Sequence, residues 1–185
     1  GTGRALDETA REVRREQLDE IDDDLLLTVA TPAGEARTKI DLDEIHPYLN
    51  FINVMTYDFH GAWDSQTGFL ANLYANDISV DSVIEYYLDQ DVPANKLVVG
   101  LPFYGRGWTG VTNQDDGLFQ PATGPASGTW EAGSEDYKVL NTKLAAGEFT
   151  RYWNEEARAA WLFDGTNFWT YDDPQTICYK TAYIR

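Results

Sequence analysis

Phe51-Ile52-Asn53-Val54-Met55-Thr56-Tyr57-Asp58 is a run of mostly apolar residues that turns polar at its end. Two other runs share its form. Leu25-Leu26-Leu27-Thr28-Val29-Ala30 precedes it, ended by Pro32 and Gly34, and Lys96-Leu97-Val98-Val99-Gly100-Leu101-Pro102-Phe103-Tyr104 follows it. Apolar runs of this length without alternation read as strands buried on both faces, the mark of a parallel sheet. Helical stretches lie between them. Residues 4–21 carry Leu6, Ala10, Val13, Leu18 and Ile21 on one stripe, closed by Asp22-Asp23-Asp24. Asp41 to Tyr48 reads as a short helix stopped near Pro47. After Ser79, residues Val80, Val83, Ile84, Tyr87 and Leu88 share one helical face until Pro93 breaks it. Strands alternating with helices predict right-handed βαβ units and an α/β class.

The character of the sequence changes after Trp108. Residues 109–133 are rich in Gly, Thr and Pro with isolated aromatics, as in short antiparallel strands and turns. Ser134 to Gly147 reads as a helix with Ser134 at its N-cap and Tyr137, Leu140 and Leu144 inward. Residues 149–153 and 159–163 read as strands, and Asp164-Gly165 as a turn into Phe168-Trp169-Thr170-Tyr171. Asp173-Pro174 opens a last helix, with Asp at the N-cap and Pro in the first turn. The expected organisation is a parallel α/β body at 1–108, an α+β insertion at 109–167 and a return helix at 168–185.

Composition narrows the partners. Over 185 residues, 31 Asp and Glu face 14 Lys and Arg, a net charge of −17. A field of that sign repels nucleic acid and anionic lipid, and no apolar run reaches the length of a membrane span. Five lysines, nine arginines and so large an acidic excess fit a surface bathed in concentrated salt, where self-repulsion is screened. The single cysteine, Cys178, permits no internal disulfide or cysteine cluster and is expected to be buried. His46 and His60 are the only histidines, so no multi-histidine metal site exists, and no calcium loop or phosphate loop is present. No metal and no cofactor is expected. His60 reads as a loop hydrogen-bonder.

Parallel strands place chemistry at their carboxyl ends. One run ends Met55-Thr56-Tyr57-Asp58 and another Phe103-Tyr104-Gly105-Arg106, with Trp63 and Trp108 nearby in sequence. Hydroxyls, a carboxylate and a guanidinium among flat aromatics suit a sugar, whose C–H face stacks while its polar edge needs partners. Ordinary strand-end caps and core aromatics would give the same residues.

Several of these stretches together resemble glycoside hydrolase family 18 chitinases. Phe51–Phe59 is similar to that family's sixth-strand motif, Val99–Trp108 to the seventh, and Leu27–Gly34 to the fifth. Residues 109–167 resemble the chitinase insertion domain, and Phe168–Pro174 the return into the barrel. The resemblance implies a partial (β/α)8 TIM barrel, about strands five to seven, carrying an inserted α+β chitinase insertion domain. It implies retaining cleavage of β-1,4-linked N-acetylglucosamine polymers, with the substrate's acetamido oxygen as nucleophile. Tyr57 would then hydrogen-bond the acetamido carbonyl, and Asp58 would hold the acetamido group and stabilise the intermediate. Met55 would pack beneath the reactive sugar, Tyr104 and Arg106 would bind neighbouring sugars, Trp63 would stack on the leaving-group side, and Trp161 would deepen the groove.

One family signature is missing from these residues: the fourth-strand DGxDxDWE, whose final Glu donates the proton, occurs nowhere in the sequence. A complete barrel takes roughly 250 residues. The chain alone is therefore expected to be inactive, with chitin or chitooligosaccharides as ligand and room for another chain or a swapped dimer to complete the barrel. A chitinase-like protein that binds chitin oligosaccharides without turnover is the alternative. Secretion is expected, with the signal segment outside these residues.

Overall fold

A computed structural model describes residues 8–22, 24–75 and 77–185. They form two compact units: the residues up to Met55 with Ser82–Gly100, and Thr56–Asp81 with Leu101–Arg185. These units cut the chain elsewhere than the expected 108/109 division, which concerns barrel against insertion.

The first unit holds helix α1 (Glu8–Ile21), strand β1 (Thr28–Pro32), the short helix α2 (Leu42–Ile45), strand β2 (Phe51–Met55), most of helix α3 (Val80–Asp89) and strand β3 (Leu97–Val99). The three strands pair in parallel in the order β1-β2-β3, with Val29 opposite Ile52 and Ile52 opposite Leu97. The βαβ expectation is met, but burial on both faces is not. Ile52 and Val54 are buried and alternate with half-exposed Phe51, Asn53 and Met55. Leu26 is 64% exposed and Val98 44%. A continuous apolar run does not reveal that, among the described residues, one face of the sheet is open. Val83, Ile84 and Tyr87 of α3 are buried, and the Tyr87 hydroxyl donates to the Pro32 carbonyl (3.0 Å), tying helix to strand. On α1, Leu18 is half-buried and Ile21 exposed, while Leu6 and Asp23 lie outside the described residues.

The second unit is antiparallel. Strand β4 (Tyr104–Thr109) pairs with β5 (Gly124–Pro125), β6 (Ser134–Asp136) and β9 (Phe168–Tyr171). Beyond β9 lie β8 (Ala159–Phe163) and β7 (Thr150–Asn154). The run 96–104 is therefore not one strand. Its first part is β3, and Tyr104 opens a strand of the other sheet. Gly100 ends the first strand by donating to Val54, and Pro102, which has no N–H, cannot continue a ladder. Side chains of β8 and β9 alternate between two cores. Trp161, Phe163 and Phe168 join Trp108 and Phe69, while Ala160, Leu162, Trp169 and Tyr171 join Leu140.

Two helices complete this unit. Helix α4 (Tyr137–Ala145) starts two residues later than expected: Ser134 belongs to β6, and Asp136 rather than Ser134 stands at the N-cap. Helix α5 (Pro174–Ile184) begins as expected, since Asp173 accepts from Gln175 and Thr176 and its own N–H donates to the Thr176 hydroxyl. Cys178 is exposed on α5, against the expectation of burial. Asp164 closes the β8–β9 turn by accepting from Thr166 and Asn167, and Gly165 takes φ +99° there.

Candidate active site

Tyr104 and Arg106 stand two apart on β4, so both side chains leave the same face of the strand. Between them Gly105 pairs with Tyr171 of β9, and a Cβ on Gly105 would come within 2.6 Å of Leu140. A larger residue there would displace the strand. Facing them is Asp58, whose backbone is left-handed (φ +59°), a conformation costly for a residue with a side chain. That turn delivers its carboxylate to β4.

The resulting cluster is closely bonded. Arg106 Nε donates to Asp58 Oδ1 and Nη2 to Oδ2, each at 2.9 Å, a two-point pair that fixes both planes. The Tyr104 hydroxyl donates to the same Oδ1 at 2.8 Å. Arg106 Nη1 reaches Glu131 Oε1 at 3.3 Å. The guanidinium also lies over the rings of Trp63 and Tyr104, 5.2 Å from each centroid. Trp63 rests on Gly61, where a Cβ would come within 2.3 Å of the indole, and the ring is 59% exposed. Tyr57 meets Tyr104 edge-on at 6.3 Å, and among the described residues its hydroxyl has no hydrogen-bond partner.

The electrostatics follow from this packing. Hydrogen bonding to Asp58 holds the Arg106 guanidinium charged well above its usual range. Burial first, then the bond to Asp58 and its negative charge, pushes the Tyr104 phenol far above the ordinary tyrosine value. Arg106 and Asp58 thus form a fixed ion pair and Tyr104 a permanent neutral donor. An exposed aromatic face and the Tyr57 hydroxyl stand beside them.

The structure brings Tyr57, Asp58, Trp63, Tyr104 and Arg106 together. Met55 ends β2 in the first unit and is half-buried. Trp161 is a correction. It is 5% exposed, stacks on Tyr152 and Phe168, and donates its indole N–H to the Asp116 carbonyl (2.9 Å), so it is a core residue rather than a groove wall. His60 is the loop hydrogen-bonder expected, with Nδ1 3.1 Å from Asp64 Oδ2. Sequence reasoning missed Glu131. Its signal was the pair Gly128 and Gly133 bracketing a tight turn: Gly128 has no room for a Cβ, and Gly133 takes φ +80°.

The family described as Glycosyl hydrolases family 18 matches residues 3–185. Chitinase A1 of Niallia circulans is 40% identical over 177 residues, covering 86% of this chain and 25% of that protein. Chitinase 63 of Streptomyces plicatus is 42% identical over 170 residues, covering 85% of this chain and 27% of that protein. The chain thus spans about a quarter of the length of both relatives. Among solved structures, the Group IV chitinase of Ostrinia furnacalis in complex with allosamidin has a TM-score of 0.87 at 29% identity, covering 96% of this chain and 51% of that one.

Proposed function

The chain belongs to glycosyl hydrolase family 18, and from that premise we propose that it forms the later part of a retaining chitinase. The substrate class is β-1,4-linked N-acetylglucosamine, cleaved with the sugar's own acetamido oxygen as nucleophile. On this reading the parallel strands β1–β3 contribute to a (β/α)8 barrel, and residues 109–167 belong to its insertion domain. The observation that carries this reading is the Asp58 carboxylate, gripped by Arg106 from one side and Tyr104 from the other.

The roles follow from the chemistry. A carboxylate fixed beside the acetamido group offsets the positive charge of an oxazolinium-like intermediate without having to reorient during reaction. Tyr57, whose hydroxyl is uncommitted, donates to the acetamido carbonyl. Arg106 both holds Asp58 and presents its edge to the next sugar, while Trp63 stacks on the leaving-group side. Among the described residues the outer edges of β1 and β3 pair with no strand, and further strands, from the same protein or another chain, complete the barrel there. The acidic surface suits a secreted protein working in high salt. No helix among the described residues is long and apolar enough to cross a membrane.

The proton donor of the family motif is not among these residues, and loss of a general acid costs about 10²–10⁴ in rate. Purified chain should therefore bind N-acetylglucosamine tetramer without measurable hydrolysis, and addition of a fragment carrying DGxDxDWE should restore turnover. Asp58→Asn should weaken tetramer binding about tenfold or more, from loss of one charge-assisted contact. Hydrolysis by the chain alone would refute the assignment as a part lacking its acid. Unchanged binding in Asp58→Asn would refute the assigned site.

A further inference from the structure

Past Asp58, the loop that carries Trp63 also borders a second hollow within the same unit. Two adjoining cavities, of about 520 and 370 Å³, share His60, Asp77 and Phe119 as walls. The larger also has Tyr74, Asn154 and Glu156, and the smaller has Asp64.

Phe119 is held there against its preferences. Its backbone is left-handed (φ +55°), yet its ring is 56% exposed and meets buried Phe69 edge-on at 5.5 Å. The turn before it is left-handed too, at Asp115 and Asp116. Buried Thr67 fixes this turn by donating from its hydroxyl to the Gly117 carbonyl (2.6 Å) and accepting from Gln120 N–H (3.0 Å). The Trp161 indole adds its bond to the Asp116 carbonyl. An exposed phenylalanine in a strained conformation, supported so firmly, is a preformed apolar platform.

The polar walls select the ligand. His60 is seated on Gly68, where a Cβ would come within 2.6 Å of the imidazole, and its Nδ1 is paired with Asp64. Asp64, Asp77 and Glu156 are carboxylates, and Asn154 adds an amide. Among the described residues, neither cavity is lined by a lysine or arginine. Phosphates, sulfates and carboxylates are therefore disfavoured. A ligand with one C–H face for Phe119, hydrogen-bonding edges and positive charge is favoured.

We propose that this groove binds a glucosamine unit with a free amine, a deacetylated residue of a chitin chain. The pyranose lies on Phe119 and its ammonium faces Glu156 across the larger cavity. This second site goes beyond the proposed cleavage site, which is built for the acetylated sugar.

Calorimetric titration of the whole chain with glucosamine tetramer and with N-acetylglucosamine tetramer tests it. Glucosamine tetramer should bind saturably, more tightly than the acetylated tetramer in Arg106→Ala, and more weakly at about 1 M than 0.1 M salt. Phe119→Gly deletes the ring while relieving the backbone, so its melting temperature should not fall, whereas its affinity should drop roughly three- to tenfold. Glu156→Gln should weaken binding about two- to fivefold, as for an exposed ion pair. Arg106→Ala should leave glucosamine binding intact while impairing that of the acetylated tetramer. Absence of saturable glucosamine binding would overturn the proposal, as would indifference to Phe119→Gly or loss of glucosamine binding in Arg106→Ala. The acetylated tetramer tests the cleavage-site reading separately.

Discussion

In the parallel sheet, Ile52 and Val54 are buried while Phe51, Asn53 and Met55 on the same strand are half-exposed. In the antiparallel sheet, every residue of β8 and β9 is buried. The two sheets therefore differ in how much of their surface they cover. The antiparallel unit has a core on each face of β8 and β9 and also carries the candidate site on β4. The first unit's sheet is covered on one face among the described residues. This contrast says where a substitution will be felt.

The largest effect should come from the buried ion pair of the antiparallel unit. Lys180 on α5 is wholly buried and bonded to Asp172, which follows β9. Burial drives the Asp172 carboxyl up and the Lys180 amine down, and the attraction between them opposes both shifts. Lys180→Met alone would leave a buried carboxylate without its partner, a loss of about 3–5 kcal/mol. The double variant Asp172→Leu/Lys180→Met should recover most of it. Urea unfolding of the three proteins decides: a single variant as stable as wild type would mean the pair is not desolvated.

Within the parallel sheet, position should matter more than residue type. Ile52→Ala removes a fully buried side chain and should cost about 2–5 kcal/mol. Val98→Ala, on a neighbouring strand but 44% exposed, should change stability by no more than about 0.5 kcal/mol. Similar losses at both positions would mean that both faces of this sheet are covered in solution.

The sequence reading shows the same asymmetry. Strand β8 at 159–163, the start of α5 and the closure of the β8–β9 turn were legible because local chemistry sets them: a capping box at Asp173 and Thr176, and an Asp-Gly turn. The run 96–104 was misread because its apolar residues serve two different sheets, and hydrophobicity does not say which partner a strand has. Tyr57, Asp58, Trp63, Tyr104 and Arg106 were legible as motif residues. Trp161 was not, because an aromatic in a strand has the same sequence signal in a core as on a binding face. Glu131 was hidden because its role depends on a tight turn between Gly128 and Gly133 that carries it to Arg106.

Tyrosines in the two units should report alkaline unfolding. Burial raises the phenols of Tyr87 in the first unit and Tyr171 in the second above their usual value. Above pH about 10 the unfolded chain loses these protons while the folded chain keeps them, so stability falls as pH rises. Each ring contributes a slope of at most about 1.4 kcal/mol per pH unit. Tyr87→Phe or Tyr171→Phe should flatten the decline above pH 10, measured by urea titration at successive pH values. An unchanged slope in both would mean that neither phenol is withheld from water.

The smallest effect compares two helix ends of the same design. At the end of α3, Asp91 N–H bonds to the Leu88 carbonyl and Val92 N–H to Tyr87; at the end of α4, Gly147 bonds to Leu144 and Glu148 to Lys143. Both are Schellman closures, with the central residue left-handed, φ +60° at Asp91 and +76° at Gly147. The second unit uses the residue that this conformation favours, and the first does not. Asp91→Gly should therefore stabilise by up to about 1 kcal/mol, and Gly147→Ala should destabilise by about the same amount. Nothing lies within 4 Å of a Cβ at Gly147, so any loss there is conformational rather than steric. Melting temperatures of the two variants should move in opposite directions. A fall in both would show that the Asp91 side chain contributes more than its backbone strain costs.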